Sequence, residues 1–191
     1  MNLVCRQLFL QIVTVCEIYI LLYQHCWPGL AHTTVLGLIL PNGNTSADLY
    51  PSPIFLLGLV MAVCGTALRL QCHRHLGPNF TFDLTIRKDH VLLTTGPYAV
   101  VRHPSYTAAI LYGLSHGLCH FGIGSWWLEC GIWETTVGWL LASVFLTWHL
   151  ELLRVILKRW KVEDEMLKQV FGKEWVAWAE KTPYAVLPYV Y

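Results

Sequence analysis

Long apolar runs, separated by short polar segments, dominate the chain. A membrane-spanning helix needs about 20 mostly apolar residues. Four runs approach that length, and they cover residues 8–27, 53–70, 105–123 and 133–156. A shorter run over residues 30–40 is either re-entrant or an extension of a neighbour, so four or five spans are predicted. The pattern thus predicts an all-α fold, a multispanning transmembrane helix bundle that forms a single integral membrane domain over residues 1–191.

The last part of the chain is more polar but keeps helical periodicity. Between residues 160 and 181, apolar side chains recur at helical spacing, with a break at Gly172. Beyond the break, Trp175 and Trp178 form an aromatic face, which suits a helix that lies at the level of the lipid headgroups. We therefore expect a cytosolic C-terminal tail of two helical pieces.

Composition narrows the class of protein further. Only 13% of the residues are charged, against about 25% in an average soluble domain, and 55% are hydrophobic. The net charge of +1 leaves no basic surplus for binding nucleic acid, and a mean hydropathy of +0.47 excludes a disordered chain. The seven cysteines have no regular spacing, so we expect small buried side chains rather than disulfide partners.

The positions of the basic residues predict how the spans are oriented. Of the 13 Lys and Arg residues, four lie in residues 71–103 and seven lie from Arg154 onward. Basic residues are enriched in cytoplasmic segments of membrane proteins. We therefore expect both segments to be cytosolic, whereas the connection over residues 41–52, which has no Lys or Arg, fits the opposite side.

Two segments are more polar and more specific than membrane anchoring requires. In residues 90–106, HVLLTTGPYAVVRHPSY, Gly96 and Pro97 predict a turn, and Pro104 is expected to begin the third span. Arg102 and His103 then lie at a helix N-terminus, where backbone N–H groups suit an anion. Taken alone, this segment is also explained as an ordinary helix start with interfacial anchors, and composition favours that interpretation.

The second segment begins at Arg154 and reads RVILKRWKVEDE. Arg159 and Glu163 are four residues apart and so share one helical face. Alone, they are best interpreted as a surface ion pair, which contributes roughly 0.3–0.5 kcal/mol.

Together, the two segments resemble a known family. GPYAVVRHPSY, followed later by the acidic pair Glu163–Asp164, a Phe-Gly and a terminal Leu-Pro, is similar to the isoprenylcysteine carboxyl methyltransferases. The resemblance covers residues 77–188, which it identifies as a methyltransferase core. It implies a multi-pass enzyme of the endoplasmic reticulum membrane. Such an enzyme transfers a methyl group from S-adenosyl-L-methionine to the C-terminal carboxylate of a prenylated cysteine.

The resemblance also implies which residues form the site. The family's cofactor contacts correspond to His90, Val91, Leu92, Leu93, Tyr98, His103, Pro104, Ser105, Tyr106 and Glu163. Arg159 corresponds to the arginine that holds the substrate carboxylate, and it is the expected catalytic and substrate-binding residue. The chain departs from the family pattern at Asp164, where a second glutamate is usual, and at Ala108. A glutamine contact upstream of His90 has no clear counterpart.

The implied reaction agrees with elementary chemistry. A C-terminal carboxylate has a pKa of about 3.5 and is already a nucleophile at neutral pH, so no general base is needed. A planar guanidinium such as that of Arg159 can hold a carboxylate through two parallel hydrogen bonds. We expect Glu163 to bind the ammonium group of the cofactor and backbone groups near His103 to meet its carboxylate. The expected partners are prenylated protein C-termini and membrane lipid, with no nucleic acid and no metal.

Two other functions fit the same residues. One is methylation of a phospholipid amine or another lipophilic small molecule, and the other is a non-catalytic membrane adaptor of the same fold. Arg159 discriminates, because an amine acceptor is repelled by a cation. His116 and His120, four residues apart, are better explained by interhelical hydrogen bonding or by a position at the far membrane interface than by metal binding. Glu17 is expected to face the bundle interior.

Overall fold

The computed structural model describes residues 3–26, 49–77 and 91–190. Within these ranges the chain forms six α-helices, two short 3-10 helices and no strand, which confirms the all-α prediction for this part of the chain. The α-helices are α1 (Leu3–Cys26), α2 (Pro53–Leu76), α3 (Pro104–Phe121), α4 (Trp126–Glu129), α5 (Thr136–Phe171) and α6 (Lys173–Lys181). The 3-10 helices are Gly96–Ala99 and Ile132–Glu134.

Each of the four long apolar runs is helical, but only two helices of the described ranges are long and apolar enough to cross a membrane. These are α2 and α5, and only 11% and 6% of their apolar windows are buried. The core helix of a soluble protein would be mostly buried, so these exposed apolar surfaces fit a lipid environment. In α1 the apolar stretch is only Gln11–Tyr23, and α3 has 18 residues and includes two histidines. The run over residues 30–40 lies outside the described residues.

The chain divides into two compact units, of which the first comprises Met1–Val60 and Leu114–Leu146. Its core joins Val13 and Ile20 of α1 to Trp126 and Trp127 of α4. Glu17, also on α1, contacts His120, with 3.0 Å between Oε2 and Nδ1. This contact confirms that Glu17 faces the interior and that His120 bonds between helices. No group of three potential metal ligands occurs in the part of the chain that the structure describes.

The second unit comprises Met61–Gly113 and Thr147–Tyr191 and contains most of the residues that the resemblance assigns to the site. In this unit α2 lies close to α3 at Gly65, where an added Cβ would be 3.0 Å from the carbonyl oxygen of Ala108. The charged end of α5 continues the fourth apolar run without interruption, and it ends where Gly172 takes a φ of +52°. The predicted break at Gly172 is therefore confirmed.

The prediction that the aromatic face of α6 lies at the lipid headgroups is wrong for Trp178. This side chain is only 5% exposed, and its Nε1 donates a hydrogen bond to the carbonyl oxygen of Tyr98 at 3.1 Å. The Trp175 ring lies near two cations, 6.0 Å from the guanidinium carbon of Arg102 and 5.8 Å from Nζ of Lys168. Trp178 packs within the protein because a buried carbonyl oxygen accepts from its indole nitrogen, whereas Nε1 of Trp175 is buried without a hydrogen-bond acceptor among the described residues.

Candidate active site

The start of α3 positions two of the predicted site residues. Gly96 has a φ of +62° and opens the 3-10 helix, which turns the chain before α3 as predicted. Pro104 is the first residue of α3, where its missing N–H costs nothing. His103 therefore precedes the helix, and Tyr106 lies in its first turn. Both side chains face the acidic pair on α5.

The His103 imidazole lies between two carboxylates. Its Nδ1 is 3.2 Å from Oε2 of Glu163, and its Nε2 is 2.9 Å from Oδ1 of Asp164. The hydroxyl of Tyr106 donates to Oε1 of Glu163 at 2.6 Å. The ring of Trp160, on the same helix as the two carboxylates, is centred 6.4 Å from the imidazole. The structure thus joins the start of α3 to α5 through a polar cluster of His103, Tyr106, Glu163 and Asp164.

Arg159 extends this cluster toward solvent. Its Nε donates to Oε1 of Glu163 at 3.3 Å, which confirms that the two side chains share one face of α5. The side chain of Arg159 is 36% exposed and that of Glu163 is 24% exposed, whereas His103 is only 6% exposed. A cation and a carboxylate are therefore accessible side by side, above a buried imidazole.

The two carboxyl groups of the cluster are ionised at neutral pH. These residues lie beyond the apolar segment of α5, which was predicted to end near residue 156. Burial alone lowers the pKa of His103, but hydrogen bonds to Asp164 and Glu163 outweigh it and raise that pKa above the usual value. Burial also raises the pKa of each carboxyl group, yet the hydrogen bonds from His103 dominate, and the pKa of Glu163 and of Asp164 is lowered.

Arg102 is held by the protein itself. Its Nε donates to Oδ2 of Asp164 at 3.1 Å, and its NH1 donates to the carbonyl oxygens of Thr182 and Pro183 at 2.9 and 2.6 Å. The guanidinium therefore joins the start of α3 to α5 and to the segment after α6. Arg159 is the more exposed of the two arginines at the cluster.

The segment after α6 occupies backbone groups that were expected to meet the cofactor. The amides of Arg102 and His103 donate to the carbonyl oxygens of Tyr184 and Ala185 at 2.9 and 2.8 Å. The Thr107 hydroxyl donates to the carbonyl oxygen of Val186. The expectation that backbone groups near His103 hold the cofactor carboxylate is therefore wrong for these two amides. We call residues 182–186 the strap.

The remaining predicted site residues are more dispersed. Tyr98 is buried, and Oγ of Ser105 accepts a hydrogen bond from NH1 of Arg69 at 2.6 Å. Val91, Leu92 and Leu93 form an irregular segment, and none of the polar contacts of the cluster involves them. Val91 is 62% exposed. Pro104 is fully buried, and His90 lies outside the described residues.

Sequence reasoning missed Asp164 as a member of the site, together with the strap. In the sequence, Asp164 is part of the acidic pair of the resemblance and stands where a second glutamate is usual, but no site role is predicted for it. Its contacts with Arg102 and His103 span more than sixty residues of chain. The strap has no periodicity, and the Leu-Pro that follows it, at residues 187 and 188, is the only signal in this part of the sequence.

Comparison with known proteins identifies the family. A model of the isoprenylcysteine carboxyl methyltransferase family matches residues 56–169, which is more than half of the chain. The chain belongs to this family. The matched residues include nearly all of α2, the whole of α3 and the part of α5 that carries Arg159, Glu163 and Asp164, whereas α6 and the strap lie beyond them.

Individual relatives agree with the family match. The chain is 29% identical over 135 residues to protein-S-isoprenylcysteine O-methyltransferase B of Arabidopsis thaliana, which covers 70% of this chain and 58% of that enzyme. It is 30% identical over 136 residues to the protein-S-isoprenylcysteine O-methyltransferase of Xenopus laevis, which covers 70% of this chain and 40% of that enzyme. A Delta(14)-sterol reductase of Mus musculus is 27% identical over 100 residues, which cover 52% of this chain and 20% of the reductase. The match therefore spans little more than half the length of the first methyltransferase, and the likeness extends to a reductase.

Proposed function

We propose that this protein is a methyltransferase that uses S-adenosyl-L-methionine to methylate the C-terminal carboxylate of a prenylated cysteine in proteins. Family membership and the names of the methyltransferase relatives support the reaction class. The observation that carries the proposal is the pair Arg159–Glu163, an accessible cation beside an accessible carboxylate. One charge suits an anionic acceptor, and the other suits the ammonium group of the methyl donor.

The cluster fits the cofactor on chemical grounds. An ionised carboxylate offers about four acceptor sites, and Glu163 contacts Tyr106, Arg159 and His103, which leaves capacity for an ammonium donor. Its lowered pKa keeps it ionised at neutral pH. When bound, S-adenosyl-L-methionine supplies an electrophilic methyl group. On the resemblance, the cofactor side of the site comprises His90, Val91, Leu92, Leu93, Tyr98, His103, Pro104, Ser105, Tyr106 and Glu163.

The protein's own contribution is to bind and orient the acceptor. The acceptor carboxylate is ionised at neutral pH, so the chain need not remove a proton from it. The planar guanidinium of Arg159 holds such a group in a fixed orientation better than an ammonium does. Proximity and alignment then account for most of the rate gain. No step of this scheme requires a metal.

The two alternative functions are less well supported. The ammonium form of a phospholipid amine would be repelled by the cation of Arg159, and the neutral form has no negative charge at the reacting nitrogen for Arg159 to bind. A non-catalytic adaptor would have no need for an accessible carboxylate that a buried imidazole keeps ionised. The arrangement of charges therefore favours a carboxylate acceptor.

We further propose a multi-pass protein of the endoplasmic reticulum membrane, with four or five spans and a methyltransferase core over residues 77–188. The distribution of basic residues supports a cytosolic location for residues 71–103 and for the C-terminal tail. External protease applied to sealed microsomes should remove an epitope placed at the C-terminus. An epitope that is cleaved only after detergent is added would contradict this orientation.

Transfer of labelled methyl groups tests the reaction. Membranes that contain the full chain should convert N-acetyl-farnesylcysteine into a base-labile methyl ester and should leave its methyl ester, in which the carboxylate is blocked, unlabelled. Phosphatidylethanolamine, tested in parallel, should also remain unlabelled. Preferential labelling of phosphatidylethanolamine would overturn the choice of acceptor, and labelling of no lipid would favour the adaptor.

A further inference from the structure

The contacts of His103 constrain its protonation state. Each ring nitrogen lies within 3.2 Å of a carboxylate oxygen, Nδ1 next to Glu163 and Nε2 next to Asp164. A neutral imidazole has only one N–H donor, so its other nitrogen would present a lone pair to an anion. An imidazolium donates from both nitrogens and satisfies both carboxylates. The geometry is therefore that of a buried cation between two anions.

The two carboxylates differ in their surroundings. Asp164 is 10% exposed and is also held by Arg102, whose NH2 is 3.0 Å from Oδ2. Glu163 is 24% exposed and lies beside Arg159 at the accessible edge of the cluster. Of the two carboxylates, Glu163 is therefore the one placed to meet a ligand, whereas Asp164 lies on the far side of the imidazole. Asp164 contacts Arg102 and His103, and of these two residues it is His103 that contacts Glu163.

We propose that Asp164 is a positioning residue, which holds the imidazolium of His103 against Glu163 and so keeps that carboxylate oriented and ionised for the cofactor. The inference rests on the proposed function, since it deepens the role of the same site. Asp164 touches neither the acceptor nor the methyl donor in this scheme. Its role is to fix the charge and the orientation of the group that supports Glu163.

The charges around His103 determine how the site responds to pH. Glu163 and Asp164 face the imidazole directly, Arg102 faces it through Asp164, and Arg159 and Tyr106 face it through Glu163. An opposite charge within 4–6 Å shifts a pKa by about 1–3 units. Removing the charge of Asp164 should therefore lower the pKa of His103 by about 1–3 units.

Kinetics across a range of pH test the consequence for the cofactor. The full chain is compared with Asp164→Asn, with Asp164→Glu and with a matched control, Glu165→Gln, which changes the neighbouring exposed carboxylate. The KM for S-adenosyl-L-methionine should rise with pH as His103 loses its proton. In Asp164→Asn this rise should occur at a pH about 1–3 units lower than in the unchanged chain. Asp164→Glu should restore most of the profile, and Glu165→Gln should match the unchanged chain. Coincident profiles for Asp164→Asn and Glu165→Gln would overturn the proposal.

A spectroscopic titration separates this inference from the proposed reaction. The full chain is labelled with carbon-13 in its histidine rings. The ring signal that is missing from the spectrum of His103→Gln is assigned to His103. Its titration midpoint should fall by about 1–3 pH units in Asp164→Asn. In Arg102→Gln it should stay in place or rise, because that change removes a cation. A fall in both variants would mark a general loss of structure and would refute the positioning role. Because no methyl acceptor is involved, the titration decides the role of Asp164 even if methyl transfer is not observed.

Discussion

At the scale of single residues, Trp178 links α6 to the segment before α3. Its Nε1 donates to the carbonyl oxygen of Tyr98, and both residues are buried. Trp178→Phe keeps an aromatic ring but leaves a buried carbonyl unpaired, which costs about 1–3 kcal/mol. We expect a lower thermal unfolding midpoint in detergent. Trp139→Phe, at a residue 60% exposed, is the control and should have little effect. Equal midpoints for the two variants would contradict the importance of this hydrogen bond.

The acidic pair predicts how stability depends on pH. The pKa of Glu163 and of Asp164 is lowered in the folded state, because hydrogen bonds from His103 outweigh burial. A lowered carboxyl pKa stabilises the fold above its ordinary pKa, and this contribution is lost as the pH falls through the folded value. Thermal midpoints measured in detergent should therefore fall on acidification, and less steeply in Asp164→Asn than in Glu165→Gln. If the thermal midpoints of both variants fell equally steeply on acidification, Asp164 would not contribute to the pH dependence.

The sequence predicted the local part of the site and missed the distant part. Arg159 and Glu163 lie on one face because four residues are about one helical turn, which is a local property. Asp164 meets Arg102 and His103 only through tertiary packing. Nothing in the spacing of these residues specifies that both carboxylates of the adjacent pair contact one imidazole. The assignment of Val91, Leu92 and Leu93 to the cofactor stays a prediction from resemblance.

At the scale of helices, a glycine sets the closeness of α2 and α3. A Cβ at Gly65 would be 3.0 Å from the carbonyl oxygen of Ala108 and 3.2 Å from the amide nitrogen of Tyr112. These are backbone atoms, so the helices must separate to accept it. Gly65→Ala should cost about 1–3 kcal/mol from overpacking, against roughly 1 kcal/mol that alanine gains in a helix, so we expect a lower thermal unfolding midpoint.

A second glycine provides the matched control for that prediction. An added Cβ at Gly117 of α3 would have no atom within 4 Å. Gly117→Ala should therefore leave the thermal midpoint unchanged or raise it slightly, through helix propensity alone. A Gly65→Ala protein as stable as Gly117→Ala would show that the two helices can move apart at no cost.

Hydropathy predicted where the helices lie better than where they end. Helices over the four apolar runs and the break at Gly172 are confirmed, because both depend on local composition and on backbone freedom. The uninterrupted length of α5 was not predicted, since the change from apolar to charged residues near residue 157 suggested an end. Lys, Arg and Glu are good helix formers, and they continue a helix beyond its apolar part.

At the scale of the whole molecule, the strap connects the C-terminal tail to the start of α3. Its carbonyl oxygens accept from the amides of Arg102 and His103, and Ala185 and Val186 are buried in one cluster with Trp160. A chain that stops after Lys181 should lose these contacts, unfold at lower temperature and lose cofactor binding. A chain that stops after Leu187 keeps the strap and should behave as the full chain. Equal stability of the two truncated proteins would show that the strap does not support the site.

The measurement that tests the central claim most directly is a paired titration of cofactor affinity and initial methyl-transfer rate in detergent. Arg159→Ala should abolish transfer to N-acetyl-farnesylcysteine while cofactor affinity stays close to that of the unchanged chain. Glu163→Gln should weaken cofactor binding about tenfold to more than a hundredfold, because a charge-assisted hydrogen bond contributes roughly 1.5–3 kcal/mol. Lys158→Gln, an exposed cation beside the site, should change neither quantity. If Arg159→Ala and Glu163→Gln both remain active with unchanged cofactor affinity, the two residues form only a surface ion pair and the proposed site is wrong.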